Sequence, residues 1–412
     1  MSFVVSKRKL VLFIVATIIM SSRIFGVNIN QYIRYGIAAV YTLYFGILCL
    51  KNGRINAVIN KHLKLAYTPW IVFVAYTLIV WQFSEDISLR NYTGITSTVI
   101  YLLLAIGFAA SAFYLLGVDI VDILFWAGVT SYLVGSIFYG CVEVGFSGII
   151  EYIKALLGFS NVSGRIGYIM EVHELTFTMG LFFLYYTFFA SELDASRKKK
   201  SVISLLLIFL GLKRIEILAL LISIIIYFVL LKGGRTIAFR SSVVTIGSCF
   251  ASFLFLFFIK VGFLDIFALE NGIETSGRLA AYNFAKNYFE LDLFYPGKGY
   301  TWFMKRYLDL YNTAFRIDGH RIAASVHSDV LTLYIELGFI VFFAWLVYIM
   351  LIKTIRMAHT GNIRVAEFYL MATIFMFICY LTDNTINYFS TQMIYFLLPL
   401  VMEWRLLEDN LE

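Results

Sequence analysis

The sequence SGRLAAYNFAKNYFELDLFYPGKGY at residues 276–300, followed by a polar run and then by HSDVLTLYIELG at residues 327–338, interrupts an otherwise hydrophobic chain. It is the only long polar interruption in the sequence, and it places Arg278 and His327 beside apolar segments. Charged side chains at membrane depth are costly unless they are paired or functional. We therefore expect the apolar segments to form a scaffold and this polar stretch to carry the chemistry.

The composition indicates a membrane protein. Of the 412 residues, 61% are hydrophobic and 14% are charged, which leaves little polar surface to face water. Apolar runs of about 17 to 23 residues match helices that cross a hydrocarbon core of roughly 30 Å. The sequence thus predicts an all-α polytopic membrane protein in which residues 1–412 form a single integral membrane domain.

The net charge of +7 does not indicate a nucleic-acid partner, because the basic residues are scattered among short connectors and form no basic domain. Positive charge on cytoplasmic connectors explains the excess better. All four cysteines fall inside apolar runs without metal-ligand spacing, so we interpret them as packing residues and expect neither disulfides nor a zinc site. They are Cys49, Cys141, Cys249 and Cys379.

The alternation of apolar runs and basic connectors predicts about twelve spans, with both termini in the cytoplasm. A large outer loop at residues 264–327 separates spans nine and ten, and a smaller outer loop lies at residues 146–170. The N-terminal run resembles a signal peptide in outline but lacks a convincing cleavage site, so we expect it to be the first span. The predicted spans cover about residues 10–27, 32–50, 65–83, 95–117, 123–145, 171–190, two arms within 201–231, 241–263, 328–352, 366–382 and 386–403.

The apolar run at residues 201–231 is predicted to be a helical hairpin. Basic residues at 197–200 and from Lys232 onward mark the same side of the membrane, so the run must cross an even number of times. The hairpin would turn outside at residues 211–214, where Lys213 and Arg214 either extend to the interface or contribute to a site. Adjacent residues leave a helix about 100° apart, so only one of the two can easily point inward.

The large loop is expected to begin with a helix along the membrane surface. Thr275 or Ser276 can cap a helix that starts near Arg278, and an apolar stripe follows on one face. The stripe consists of Tyr282, Ala285 and Phe289. The helix would end near the breaker cluster at residues 296–299, which lacks the sequence context of a phosphate-binding loop.

The segment from Thr301 to Ser325, which includes Arg321, is rich in aromatic and basic residues. Surfaces that stack on sugars and bind diphosphates have this composition, and so does ordinary interfacial packing. Both interpretations stay open from the residues alone.

His327 stands where the loop enters span ten, at the outer mouth of the helix bundle, and its imidazole can titrate near neutral pH. A catalytic role and a structural role are both compatible with this position. Asp329 and Glu336 share one helix face, so they could orient polar groups inside the bundle or pair with a buried basic residue. Asp383 and Asn384 in the last outer turn are interpreted as helix caps.

This outline resembles the bacterial O-antigen and capsule repeat-unit polymerases, which share a superfamily with the O-antigen ligases. The similar features are Gly277-Arg278, the FYPGKG segment at 294–299, and HSDVLTLYIELG at 327–338, which is similar to the family's loop-to-helix pattern. The turn at Lys213-Arg214 is similar to the family's basic turn, although lysine replaces the usual serine. Residues 165–171 lie where the family often carries an Arg…Glu-Pro pattern, with Val172 in place of the proline.

The resemblance implies a glycosyltransferase on the outer face of the bacterial inner membrane. It would transfer a growing glycan from undecaprenyl diphosphate to a hydroxyl group of the next lipid-linked repeat unit, with no metal or cofactor. Arg278 and Arg214, helped by Arg165 or Lys213, would stabilise the leaving group. His327 would position or deprotonate the acceptor, and the carboxylates of span ten are the alternative for that role. The substrate-binding residues would be Arg214, Lys213, Arg165, Arg321, Asp329 and Glu336, although a lipid headgroup contact explains Arg165 equally well.

Three other functions stay open, one of which, a structural or signalling membrane protein, would leave Arg278, Arg214 and His327 unexplained. An O-antigen ligase uses the same donor but transfers the glycan to a lipid A core sugar, and the sequence hardly separates it from a polymerase. A flippase or other transporter also has about twelve spans, but transporters usually show internal repeats, which this sequence lacks. The expected partners are the lipid-linked donor and acceptor, the bilayer, and a membrane protein that regulates chain length.

Overall fold

The part of the chain that the structure describes is helical, apart from one hairpin of two short strands. The structure is a computed structural model. It describes residues 7–21, 29–53, 55–84, 87, 89–138, 145–148, 150–151, 153–154, 173–191, 194–211, 213–232, 234–270, 278–313, 316–317, 320–321, 325–360 and 362–409.

The first eight α-helices lie at positions that the apolar runs predict. Their bounds are α1 Lys7–Met20, α2 Ile29–Asn52, α3 Ala57–Gln82, α4 Leu89–Leu116, α5 Ile120–Tyr132, α6 His173–Leu184, α7 Arg197–Leu210 and α8 Arg214–Ile226. Short π-helical turns extend α5 to Phe138, α6 to Phe189 and α8 to Leu231. The break between α7 and α8 falls in the predicted turn at residues 211–214.

The second half of the chain contains the remaining helices and the hairpin. Their bounds are α9 Ile237–Lys260, α10 Phe263–Glu270, α11 Arg278–Ala285, α12 Trp302–Thr313, β1 Arg316–Ile317, β2 His320–Arg321, α13 Asp329–Val347, α14 Lys353–Thr360, α15 Ile363–Thr382 and α16 Phe389–Asp409. The two strands pair antiparallel, with Arg316 opposite Arg321.

Seven helical stretches in the described part are long and apolar enough to cross a membrane. They are Tyr32–Asn52, Ala57–Gln82, Asn91–Gly135, Arg214–Leu231, Ile237–Lys260, Asp329–His359 and Ile363–Thr382. The predicted membrane-protein class is therefore confirmed, whereas the count of about twelve crossings stays a prediction. Helices α1, α6, α7 and α16 lie at other predicted spans but are not among these seven.

The described chain forms two compact units. The first comprises residues 1–63, 101–224 and 388–412, and the second comprises residues 64–100 and 225–387. The polar stretch that opens the sequence argument lies wholly in the second unit.

A buried ion pair joins three helices of the first unit. Arg34 on α2 donates two hydrogen bonds to the carboxylate of Glu174 on α6, one of them 2.9 Å long. The same carboxylate accepts the backbone N–H of Ser390 in the first turn of α16, where helix N–H groups have no partner within the helix. The Arg34 guanidinium also lies 4.7 Å from the centre of the Phe389 ring. Glu174 thus caps α16 and fixes α2 and α6 against it.

A second buried carboxylate joins α16 to α3 within the first unit. Glu403 accepts hydrogen bonds from the Lys61 ammonium group and lies 2.9 Å from His62 Nε2. The side chains of His62 and Glu403 are only 2% and 3% exposed. Because both lie in the interior, their hydrogen bonds satisfy groups that water cannot reach.

Helix α13 is interrupted at Gly338, whose backbone has φ 72°. The loop at residues 295–299 packs into the interruption and satisfies the backbone groups that the helix leaves unpaired. Lys298 N–H donates to the carbonyl of Ile335 at 3.0 Å, and Phe339 N–H donates to the carbonyl of Tyr295 at 3.0 Å. The breaker cluster at residues 296–299 therefore fills the interruption in α13.

Substitution of Gly297 with alanine is expected to destabilise the second unit. The residue has φ 78°, and a Cβ atom there would lie 2.4 Å from the backbone nitrogen of Gly338. Left-handed strain costs about 1–3 kcal/mol, and the clash adds to it. The thermal midpoint of the purified protein should fall, whereas Gly247→Ala, a helical site with no atom within 4 Å, should leave it unchanged or raise it. Equal midpoints for the two variants would contradict the packing.

The loop helix is shorter than predicted. Helix α11 ends at Ala285 and passes into one 3-10 turn, so the prediction that it reaches residues 296–299 is wrong. The Lys260 ammonium group, from the end of α9, donates to the carbonyls of Lys286 and Phe289 and thereby replaces the bonds of a further helical turn. The predicted apolar stripe is nevertheless buried.

Candidate functional site

His327 lies beside a buried carboxylate at the start of α13. Its Nδ1 atom is 3.7 Å from Oδ1 of Asp383, and the two side chains are 25% and 1% exposed. Nδ1 is buried and makes no hydrogen bond among the described residues. A separation of 3.7 Å is longer than a hydrogen bond, but such contacts often shorten when substrate binds. The pair can therefore hold an imidazole in one orientation.

The backbone at His327 is strained. Its φ of 49° is in the left-handed region, which residues other than glycine seldom occupy. The next residue, Ser328, caps α13 by accepting the N–H of Leu331 at 3.1 Å. Strained residues of this kind cluster at functional sites.

Asp329 holds the turn that carries Asp383. Its carboxylate accepts the N–H of Ile386 at 2.8 Å, and its own N–H donates to the carbonyl of Asp383 at 3.2 Å. The side chain is 4% exposed. Asp329, which the sequence assigns to substrate binding, thus contacts the backbone of the last turn in this structure and fixes Asp383 relative to His327.

Glu336 caps a helix of the large loop. Its Oε1 accepts the N–H of Met304 at 3.1 Å, in the first turn of α12, and the backbone N–H groups of Thr301 and Phe303 also bond to this carboxylate. The residue is 1% exposed. Like Asp329, Glu336 accepts hydrogen bonds from backbone N–H groups. A carboxylate at a helix N-terminus stabilises the helix.

Arg278 and Asp383 both lie within electrostatic reach of the Tyr282 hydroxyl. The pKa of Tyr282 is raised to about 12, chiefly by burial; the Arg278 charge opposes this rise and the Asp383 charge adds to it. Arg278 is the first residue of α11 and is half-buried, while Tyr282 is one turn further and buried. We call Arg278, Tyr282, His327 and Asp383 the Asp383 cluster, because Asp383 lies beside His327 and its charge acts on Tyr282, on which the Arg278 charge also acts.

The cluster combines four kinds of group that can take part in group transfer. The guanidinium of Arg278 can bind phosphate oxygens through paired hydrogen bonds. The imidazole of His327 can accept a proton, and the carboxylate of Asp383 can hold its Nδ1–H. The Tyr282 hydroxyl, which is protonated at neutral pH, can donate a hydrogen bond.

Lys213 and Arg214 lie in the first unit and differ in exposure. Lys213 is 7% exposed, whereas Arg214 is exposed at the start of α8, so one residue of the pair points inward as predicted. The turn packs on α6, since a Cβ atom at Gly211 would lie 2.4 Å from the Thr176 side chain. Joint action of these two basic residues with Arg278 stays a prediction.

Two predicted site residues are not described in side-chain detail. Arg165 and most of the smaller loop at 146–170 lie outside the described residues. Arg321 lies on β2, where its backbone pairs with Arg316, and its side chain is outside the described part.

Sequence reasoning missed two members of the cluster. It interpreted Asp383 as a helix cap and Tyr282 as part of a packing stripe. The sequence does show that Asp383 is an acidic residue in a short turn between two apolar helices. It does not show that His327 is its partner, because the two residues meet only where the end of α15 contacts the start of α13. The chain matches no protein-family model, no curated protein and no solved structure.

Proposed function

We propose that the protein is a membrane glycosyltransferase that polymerises oligosaccharide repeat units carried on undecaprenyl diphosphate into O-antigen or capsular polysaccharide. The observation that carries the proposal is the proximity of His327 and Asp383, together with Tyr282, on which the charges of both Asp383 and Arg278 act. A general base next to a phosphate-binding cation is the minimum that such a transfer requires.

In the proposed reaction, His327 accepts the proton of the acceptor hydroxyl through Nε2 while Asp383 holds Nδ1–H. The hydroxyl oxygen bonds to the anomeric carbon of the donor glycan as the bond from that carbon to the diphosphate oxygen breaks. The bonding electrons leave with undecaprenyl diphosphate, and Arg278 stabilises the added negative charge. The proton is released from His327 to solvent after the product departs.

The proposed membrane arrangement has about twelve crossings, with both termini in the cytoplasm of a bacterium and the cluster on the periplasmic side of the inner membrane. The apolar helices and the basic connectors before α3, before α7 and after α8 support it. The large loop at residues 264–327 would then be periplasmic. A chain-length regulator in the same membrane is a proposed partner.

The first test is the surface-polysaccharide ladder of a deletion strain that carries the wild-type gene or the Arg278→Ala variant. For a polymerase, the deletion leaves material with a single repeat, the wild type restores the ladder, and Arg278→Ala does not restore it at equal protein level. Complete loss of capped core in the deletion would instead identify a ligase. A deletion strain that exports no lipid-linked repeat would identify a transporter. A full ladder with Arg278→Ala would mean that the Asp383 cluster is not the active site.

A further inference from the structure

An open cavity of about 650 Å³ lies in the first unit between α1, α2 and the end of α4. Lys7 and Arg8 lie at its mouth, and its walls are apolar or aromatic. The wall residues are Val11, Leu12, Val40, Tyr41, Tyr44 and Leu115. The volume is within the range of about 300–1,000 Å³ that is typical of sites for small molecules.

The mouth of the cavity carries positive charge that the described residues do not neutralise. Lys9, the next residue on α1, lies 2.6 Å from the Asp119 carboxylate, whereas Lys7 and Arg8 form no ion pair among the described residues. Both are exposed, and the first turn of α1 contains no acidic residue. Two unpaired cations at the edge of one cavity favour an anionic ligand.

The walls show that the ligand also has a long apolar part. Val11 and Val40 are 55% and 65% exposed, and Tyr44 is 49% exposed. Val40 and Tyr44 belong to α2, which is one of the helices long and apolar enough to cross a membrane. A small inorganic anion would leave these walls uncovered, but an acyl chain lying along α2 would cover them.

The position of the cavity along the helices fits a lipid. It contains the first residues of α1, residues 40–44 in the middle of α2 and Leu115 near the end of α4. Asn52 at the end of α2 donates to the Tyr114 hydroxyl near the end of α4 at 3.0 Å, which places these two helix ends at one level. Basic residues at helix ends of this kind lie at the level of lipid headgroups.

We propose that this cavity binds one anionic phospholipid, with its phosphate between Lys7 and Arg8 and one acyl chain against Val40 and Tyr44. The site is separate from the Asp383 cluster, and it does not depend on the proposed transferase activity. The cavity recognises its ligand by a single negative charge and by the apolar chain attached to it. Zwitterionic lipids lack the net charge, and soluble phosphates lack the chain.

Native mass spectrometry of the purified full-length protein in detergent can measure this binding. The probes are dioleoyl phosphatidylglycerol, dioleoyl phosphatidylcholine and, as a soluble competitor, glycerol phosphate. The double variant K7Q/R8Q should bind phosphatidylglycerol about 25-fold more weakly, from about fivefold for each basic residue near an anionic headgroup. Its affinity for phosphatidylcholine should not change.

Two further variants distinguish a cavity from general attraction. K198Q/K199Q removes the same charge from two exposed lysines of α7 in the same unit and should retain wild-type binding. Val40→Trp fills the cavity without changing charge and should weaken phosphatidylglycerol binding. An equal loss in K198Q/K199Q, unchanged binding in K7Q/R8Q, or displacement of the lipid by equimolar glycerol phosphate would each overturn the proposal.

Discussion

Replacement of His327 with alanine is expected to lower the rate of sugar transfer about 10²- to 10⁴-fold, because a positioned general base contributes that much. The imidazole lies beside Asp383 at the start of α13, and the described residues provide no second imidazole in the Asp383 cluster. The measurement is polymer formation from lipid-linked repeat units by membranes with matched protein levels. The gel ladder should collapse to a single repeat.

The backbone strain at His327 requires a second variant. Alanine at φ 49° could lower stability by itself, whereas asparagine tolerates the left-handed region. His327→Asn should therefore keep the fold and lose the activity to the same extent. His359→Ala, at an exposed histidine near the end of α14, is the matched control and should behave as wild type. Full activity of His327→Asn would exclude the imidazole as the base.

Asp383 is expected to act through His327 and not on the substrate. Asp383→Asn should lower kcat while KM stays near the wild-type value, since orientation of the base affects the transition state more than substrate binding. A purely structural role would instead reduce the amount of folded protein and leave kcat of the remaining enzyme unchanged. A lower kcat at an unchanged KM would therefore show that Asp383 positions His327, whereas an unchanged kcat with less folded protein would show that it only supports the last turn.

The positions of the helices could be predicted because their signals are local. Apolar runs of the right length and the basic connectors between them locate the helices, and Ser328 marks the start of α13 before Asp329. The turn at residues 211–214 followed from charge alone. Each of these inferences needs only residues that are close together in the sequence.

The contacts that build the site could not be predicted in this way. Gly297 matters because its backbone enters the interruption at Gly338, and nothing near either glycine in the sequence identifies the other. Glu336 was expected to orient polar groups inside the bundle or to pair with a buried basic residue, because charged side chains in membrane helices are costly unless they are paired or functional. In the structure it receives the N–H groups of α12, a partner that the sequence does not indicate.

Loss of either member of the Arg34–Glu174 pair is expected to have the largest effect on stability. Both side chains are buried, at 4% and 10% exposure, and removal of one leaves the other charge without compensation. Breaking a buried pair by removing one partner costs about 3–5 kcal/mol. The thermal midpoint of the purified protein in detergent should therefore fall sharply for Arg34→Met and for Glu174→Gln.

The two single variants should differ in what they leave behind. Glu174→Gln can still accept the N–H of Ser390, so its cost comes from the unpaired guanidinium of Arg34. Arg34→Met leaves a buried carboxylate that retains the Ser390 bond, and it also removes the cation above the Phe389 ring. In each case the interface of α2, α6 and α16 loses its fixed geometry.

The double variant decides whether the effect is electrostatic. If uncompensated charge is the cause, Arg34→Met combined with Glu174→Gln should be less destabilised than the sum of the single variants, because no buried charge remains. The exposed Lys9–Asp119 pair of the same unit provides the matched control, and Lys9→Gln should cost less than about 1 kcal/mol. Additive losses in the double variant would instead mean that the two side chains stabilise the unit by packing, and the capped junction of α16 would then depend on shape and not on charge.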